Sequence, residues 1–389
     1  MTPPPNRAKR ATHMPVNILH LHSAFDLGGK EARAVRLMNA FGDAARHTIV
    51  SGVPDALSAR DAIAPGIKYE IAQDPPALTG RPSVARFEAL ARYMRRFDLV
   101  LTYNWGAVDG VMARRAFSKG APPLIHHEDG FNADEADHLK IERNMYRRIA
   151  LGAAAALVVP SVLLEKIATQ YWKQPAARLH RIPNGIPTGL YAARPDPRAI
   201  PGFRRKPGEL VVGSLAGLRA VKDLPMLLRA CAGVPGKLRI VIVGEGPERA
   251  AIENAAALVG LGDRLHLPGF LREPHRFVGL FDIFALSSKS EQFPISVIEA
   301  MAAGLPIASP SVGDVGQMVS EANWPYIAPH VDAVELRDMI TMLAGDKATR
   351  VAVGAHNRAK AQAMFDENVM IARYAALYAD SIGRPGIFG

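Results

Sequence analysis

Short apolar runs alternate with helical stretches along this chain, and the series starts twice. Val16–His22 reads as a first strand. Gly28-Gly29-Lys30-Glu31 then turns into a helix whose apolar positions Ala34, Leu37, Met38 and Phe41 keep to one helical face. Strands follow at 47–52, 98–103, 123–127 and 155–159, with helical stretches such as 84–96 between them. Strands alternating with helices predict a doubly wound parallel α/β sheet. A strand and a tight turn at 179–187 end this series. Residues 191–208, rich in proline and charge, read as a connection. The pattern then restarts with strands at 209–215 and 238–244 around a helix at Leu224–Ala232. A short strand at 265–267 follows, then an apolar run at 276–286 read as a strand, then a polar loop and a helix.

A chain of 389 residues is too long for one ordinary core. The expected division is a leader at 1–15, a first Rossmann-like domain at 16–187, a connection at 188–208 and a second such domain at 209–366. A last helix at 367–382 is expected to pack back across the first domain. Ligands of such sheets bind beyond the strand carboxyl ends, so two domains facing each other would share one central cleft.

Composition narrows the class. No apolar run reaches the ~18 residues of a membrane span. The best candidate, 149–159, is short and mostly alanine, and reads as a helix end followed by a buried strand. The first fifteen residues are basic and rich in proline without an apolar segment, unlike a secretory signal. Cys231 is the only cysteine and sits in an apolar helical pattern, so a core thiol is expected, in a cytoplasmic protein without disulfides. The net charge of +10 is uneven: residues 1–190 carry 25 Lys and Arg against 17 Asp and Glu, the remainder 22 against 20. A basic first half suits an anionic acceptor, such as a lipid-phosphate, and a peripheral contact with the inner face of a membrane. The cations are scattered and no recognition-helix or RNA-binding signature accompanies them, so nucleic acid is not an expected partner.

The chemistry concentrates at Glu291 and Glu299, eight residues apart, one on the loop and one expected near the start of the helix. Two acids around a helix N-terminus, where backbone N–H groups attract anions, suit a ligand with both hydroxyls and a diphosphate. Glycosidase carboxylates flank a bond from two sides, whereas these share one loop and helix, so binding roles fit better. Arg219 and Lys222 follow the second domain's first strand, where cations would neutralise a leaving diphosphate. Gly28-Gly29 and Gly244-Glu245-Gly246-Pro247 are turns into helices that either cradle phosphate or simply turn the chain. His126 and His127 end a strand. Alternation directs one toward the cleft as a hydrogen-bond donor and the other into packing. No second cluster with ligand spacing supports a metal, and Asp-x-Asp is absent. Trp105, in Tyr103-Asn104-Trp105-Gly106, fits either the acceptor side or packing.

Together these residues resemble the family-4 glycosyltransferases of GT-B fold, retaining enzymes that use nucleotide-sugar donors. The resemblance runs from Val16 to Ile382. Its most specific element is Glu-x7-Glu within 290–306, continuing to Gly313. Gly28-Gly29-Lys30-Glu31, Ile182-Pro183-Asn184-Gly185-Ile186, Val243-Gly244-Glu245-Gly246-Pro247 and Leu267-Pro268-Gly269-Phe270 resemble further family elements. The resemblance implies that Glu291 contacts sugar hydroxyls and that the amides of Gln292, Phe293, Pro294 and Ile295 surround sugar and phosphate. By the same resemblance, Glu299 binds the ribose, Gly269, Phe270 and Leu271 lie near the base, and Lys222 binds the diphosphate. His126 corresponds to the family's cleft histidine, and Gly28 and Gly29 would close onto the donor.

Two positions depart from the family pattern. Gly217 stands where the family carries arginine, with Arg219 two positions on, and Gln292 replaces a common glycine. The implied reaction is metal-independent transfer of a hexose from a UDP- or GDP-sugar to a saccharide or lipid-linked acceptor, without a cofactor. A sugar-nucleotide epimerase and a non-catalytic sugar-nucleotide binding module remain as other readings.

Overall fold

The structure, a computed structural model, describes residues 14–131, 135 and 139–389. The expected leader lies outside these except for Met14 and Pro15. The chain forms two compact units. One comprises the residues up to Val158, Ala168–His180 and Ile371–Gly389; the other comprises Val159–Ile167 and Arg181–Met370.

The first unit is built on β1 (Val16–His22), β2 (Ala45–Ser51), β3 (Tyr69–Ile71), β4 (Leu99–Tyr103), β5 (Leu124–His127), β6 (Ala156–Val159) and β7 (Leu179–Arg181). These lie in the order β3-β2-β1-β4-β5-β6-β7. The helices between them are α1 (Gly29–Phe41), α2 (Val84–Met94), α3 (Val108–Ala116) and α4 (Ile141–Leu151), whereas α5 (Val162–Gln170) begins within the second unit and ends in the first. On one face Leu90 and Met94 of α2, Val111 of α3 and Ala150 of α4 close over Leu19, Leu21 and Val100.

The second sheet runs β10-β9-β8-β11-β12-β13. Its strands are β8 (Leu210–Leu215), β9 (Leu238–Val243), β10 (Leu265–Gly269), β11 (Ile283–Ala285), β12 (Ile307–Pro310) and β13 (Ile327–Ala328). The helices are α6 (Leu224–Ala232), α7 (Arg249–Leu258), α8 (Ile295–Ala302), α9 (Val315–Met318), α10 (Ala333–Gly345) and α11 (Lys347–Met364), and a last helix, α12 (Glu367–Ser381), starts here and continues into the first unit. Val297 and Met301 of α8 and Ala361 of α11 pack on one side, while Leu227 of α6, Ile252 of α7 and Ile340 of α10 pack on the other. Cys231 lies in this second layer, and burial pushes its thiol up to about 12.

Two sequence expectations are corrected, and two short strands were not read at all. The apolar run 276–286 is a strand only at Ile283–Ala285, because two 3-10 turns at Pro274–Arg276 and Val278–Leu280 precede it. Phe277, Val278 and Phe281 are buried in the core there, and Gly213 of β8 leaves the room that the Phe281 ring fills. The segment 188–208 does more than connect, since Tyr191, Ile200 and Phe203 enter the second unit's core. The edge strands β3 and β13, three and two residues long, carry too few residues for a periodic signal. No helix among the described residues is long and apolar enough to cross a membrane.

The last helix places Tyr374 and Tyr378 in the first unit, where the Tyr378 hydroxyl lies 2.7 Å from His127 Nε2. That layer buries His20, His22, His47 and His127, while His126 is buried on the opposite face of the sheet. Burial holds His20, His22 and His127 well below the ordinary imidazole range, and lowers His47 to about 4. An imidazole that ionises at about 6.5 in the unfolded chain and lower in the fold stabilises the protein fully above about pH 6.5. That stability is lost as pH falls toward the folded values, because the unfolded chain then binds more protons. Stability measured by denaturant unfolding should therefore fall steadily from about pH 6.5 to 4. His47→Gln should flatten that slope by about 1.4 kcal/mol per pH unit, the weight of one proton. An unchanged slope would mean that His47 does not stay neutral in the fold.

Candidate functional site

The carboxyl edge of the second sheet gathers most of the residues singled out. β8 and β11 are hydrogen-bonded neighbours, so the loops that follow them emerge side by side. After β8 the chain makes a 3-10 turn at Ala220–Lys222, and Asp223, left-handed at φ 40°, caps α6 by accepting from Met226 N. The loop after β11 is laced to that turn. Ser287 Oγ donates to the Lys222 carbonyl at 2.8 Å, and Lys289 N donates to the Val221 carbonyl at 2.9 Å. Lys222 Nζ donates to Glu291 Oε1 at 2.5 Å, and Ser288 Oγ donates to the same oxygen at 2.6 Å. The lysine and carboxylate side chains are 16% and 9% exposed, so water screens the pair little.

Arg219 occupies the neighbourhood of the missing side chain at Gly217. Its Nε lies 3.5 Å from where a Gly217 Cβ would stand, and its N–H donates to the Gly217 carbonyl at 2.8 Å. The turn after β9 explains its glycines. Gly244 and Gly246 sit at φ 149° and 156°, and a Cβ on them would lie 1.9 Å from the Ala216 carbonyl oxygen and 2.4 Å from that of Leu218. Leu218 N donates to the Glu245 carbonyl and Glu248 N to the Leu218 carbonyl, which binds the two loops together. These glycines therefore serve close backbone packing behind Arg219.

The Glu291 loop is held from its other side by Gly313 and Asp314. Gly313, at φ 53°, lets the backbone approach the Glu291 carbonyl, and Asp314 N donates to the Gln292 carbonyl at 3.2 Å. The Asp314 carboxylate in turn accepts from Val162 N at 2.6 Å and Leu163 N at 3.1 Å, the first turn of α5. Phe293 packs edge-on against Phe365. Pro294 precedes α8 at Ile295, and no side chain caps this helix. Glu299 is the fifth residue of α8, half-buried and about one turn in from the helix start. At the sheet's far edge Gly269 takes φ 90°, its carbonyl accepting from Gly244 N at 2.9 Å. Phe270 follows, 65% exposed, while Leu271 leans on the core.

In the first unit, Gly28 precedes α1 and allows the Glu31 carboxylate to fold back over the turn, 2.9 Å from the missing Cβ. Lys30 pairs with that carboxylate. His126 and His127 are both buried, where the expectation was one ring facing the cleft as a donor and the other in packing. The physical reason is that helices cover both faces of this sheet, so alternation sends each ring into a packed layer. His126 Nδ1 lies 2.8 Å from Thr102 Oγ1, its register partner on β4, and His126 Nε2 is 3.5 Å from Glu128. Arg147 Nε donates to Glu128 at 3.2 Å, and its guanidinium sits over the rings of Trp105, Phe131 and Trp172. Trp105 thus has a packing role. Sequence reasoning missed Ser287, Ser288 and Asp314; two serines between a buried strand and Glu291 were the available signal. Among the described residues no cluster of three His, Cys, Asp or Glu is arranged to hold a metal ion.

Known proteins share both halves. Residues 27–190 match the family described as Glycosyltransferase Family 4, and residues 197–360 match Glycosyl transferases group 1. The chain belongs to this glycosyltransferase family. It is 24% identical over 317 residues to the D-inositol 3-phosphate glycosyltransferase of Nocardia farcinica, covering 75% of this chain and 69% of that protein. It is 26% identical over 152 residues to the O-antigen biosynthesis glycosyltransferase WclY of Escherichia coli, covering 39% and 43%. For most of these curated relatives the chain spans about half of their length or less. The fold is that of Anabaena HepE, solved in complex with UDP, at TM-score 0.76 and 20% identity, covering 94% of this chain and all of that one. Sucrose-phosphate synthase from Thermosynechococcus elongatus superposes at TM-score 0.74 and 20% identity, covering 94% and 99%. The architecture is therefore GT-B, with parallel sheets of seven and six strands.

The glycine turn yields a direct test. Gly246→Ala puts a methyl against the Leu218 carbonyl and should lower stability by about 2–4 kcal/mol, measured by denaturant unfolding. Wild-type stability would mean that the two loops do not press together.

Proposed function

We propose that this chain is a retaining glycosyltransferase that moves a hexose from a nucleoside diphosphate to a saccharide or lipid-linked acceptor in polysaccharide or glycolipid synthesis. The observation that carries this reading is the Lys222–Glu291 pair. Two residues 69 positions apart, expected to hold diphosphate and sugar, share one spot at the carboxyl edge of the second sheet. A diphosphate arriving there would take Lys222 away from Glu291. The freed carboxylate would then accept from sugar hydroxyls, with Ser288 still holding one of its oxygens. Arg219, folded over Gly217, adds a second cation for the leaving group. Glu299 would accept from the ribose hydroxyls, and exposed Phe270 would meet the base. A UDP-sugar is the favoured donor, because the solved complexes of HepE contain UDP and UDP-glucose.

In this reading the bond from the sugar's anomeric carbon to phosphate oxygen breaks, and a bond to the acceptor oxygen forms on the same face. The acceptor proton passes to the departing phosphate, so no protein nucleophile is needed. The chain's residues position the groups and stabilise charge. The charges of Lys222 and Arg219 offset the diphosphate without calling on a metal. The first unit would receive the acceptor. Its α4 exposes Ile141, Met145 and Ile149 along one face beside Arg148, a surface suited to an anionic bilayer that presents a lipid-linked acceptor.

A thermal-shift screen should find a nucleotide sugar, UDP-glucose first, that raises the melting temperature. Glu299→Ala should weaken that donor at least about tenfold, since a bidentate ribose contact is worth over a kcal/mol. Arg219→Ala should slow transfer by about 10²–10³, the cost of losing one charge-stabilising donor. If no UDP-, GDP- or ADP-sugar stabilises the protein, the reading fails. Donor binding without transfer or hydrolysis would instead favour a binding module, and turnover without acceptor an epimerase.

A further inference from the structure

His22 closes β1 and is wholly buried, yet neither of its ring nitrogens has a hydrogen-bond partner among the described residues. The ring is held flat against Tyr103, centroids 4.1 Å apart, with Phe25 edge-on at 4.9 Å. Its buried neighbours fare differently. His20 lies 3.1 Å from the Tyr103 hydroxyl and 3.0 Å from His47. His127 reaches Tyr378 and the Thr102 carbonyl, and His126 reaches Thr102 Oγ1. Of the five buried imidazoles of this unit, His22 alone among the described residues has both nitrogens unpaired. A buried polar group without a partner is costly and calls for an explanation.

A carboxylate close by supplies the explanation. His22 Nδ1 stands 4.0 Å from Glu31 Oε1. That is too long for a hydrogen bond, and it is the distance one oxygen spans when it lies about 2.7–2.8 Å from both. Glu31 is 4% exposed in the first turn of α1, beside the Gly28-Gly29 turn at the carboxyl edge of β1. This is the edge where ligands of such sheets bind. Lys30, paired with Glu31 and 17% exposed, is the member of this group that reaches solvent. Burial, and then the charge of Lys30, keeps the imidazole neutral. A neutral imidazole beside a carboxylate accommodates an O–H group, which donates to one and accepts from the other. An anion would be repelled by Glu31.

We propose that His22 and Glu31 form a subsite for one hydroxyl of the saccharide acceptor, opened when Lys30 swings outward. The proposal rests on the transferase reading above. Octyl β-D-glucopyranoside serves as the acceptor probe, with UDP-glucose as donor. His22→Phe preserves the stacking on Tyr103. It should lower kcat/KM for transfer about 10–100-fold, mainly through the probe's KM, while hydrolysis of UDP-glucose by water is unchanged. Glu31→Gln should do the same and stands in if His22→Phe does not fold. One monodeoxy probe should show the same loss with wild type and no further loss with His22→Phe. Unchanged transfer in both variants overturns the proposal, as does an equal fall in transfer and hydrolysis, which marks a merely structural role. If wild type neither transfers nor hydrolyses, the transferase reading has failed separately, and the subsite is read by titrating the probe against the His22 ring ¹⁵N resonances. A saturable shift absent in Glu31→Gln supports it; no shift, as for a site that only holds a water, overturns it.

Discussion

The bond between Lys222 and Glu291 is the contact on which the second unit's functional edge depends. Parallel pairing of β8 with β11 brings two distant loops together, but pairing alone leaves their tips free. The serines and the backbone bond of Lys289 tie the loops, and the ion pair places their two charged groups in one spot. Each charge thereby satisfies the other in a place where water reaches only part of either. A ligand that replaces the pair must offer both an anion and hydroxyls, because leaving one partner half-buried and unmatched is costly. In the proposed function the pairing would therefore act as a filter for ligands that carry both chemistries, as a sugar diphosphate does.

The first unit meets the same problem in a drier setting. Its sheet is covered on both faces, and it buries imidazoles, two arginines and several carboxylates. Arg147 shows how the cost is offset: Glu128 and Glu135 accept from it and three aromatic rings surround it. Arg33 binds Asp129, with Tyr374 of α12 beside its guanidinium. The carboxyl-terminal helix thus closes the charged layer of the unit in which the chain begins. A network this buried holds its members in single positions, and removing one partner leaves the other unpaired.

Much of the fold was legible because apolar runs of four or more residues mark buried parallel strands. Val16–His22, Leu210–Leu215 and Leu238–Val243 are of this kind. The run before Glu291 misled for the same reason. Phe277, Val278 and Phe281 are as apolar as strand residues, but they reach the core from 3-10 turns, and only Gly213 on another strand makes room for Phe281. As candidates, Glu291, Lys222 and Glu299 could be singled out one by one. That Lys222 and Glu291 touch could not be read in this way, since it depends on strand order. The open state of His22 was equally hidden, because it depends on which partners Tyr103 and Glu31 offer across three elements.

Gly217 and Arg219 show what a departure from a pattern means physically. A glycine where arginine is expected removes a charge from one backbone position. The Gly217 carbonyl nevertheless accepts from Arg219 N, a tight reversal that carries the Arg219 side chain back over the glycine. The space left by the missing side chain is the space the guanidinium uses. Behind it, Gly244 and Gly246 press on Ala216 and Leu218, so the loop has little freedom to carry the cation elsewhere. What a phosphate senses is the location of positive charge rather than the residue number that supplies it. A Cβ at 217 would sit at ordinary contact distance from Arg219 Nε, 3.5 Å, so only a longer side chain there would compete with the guanidinium for the same space.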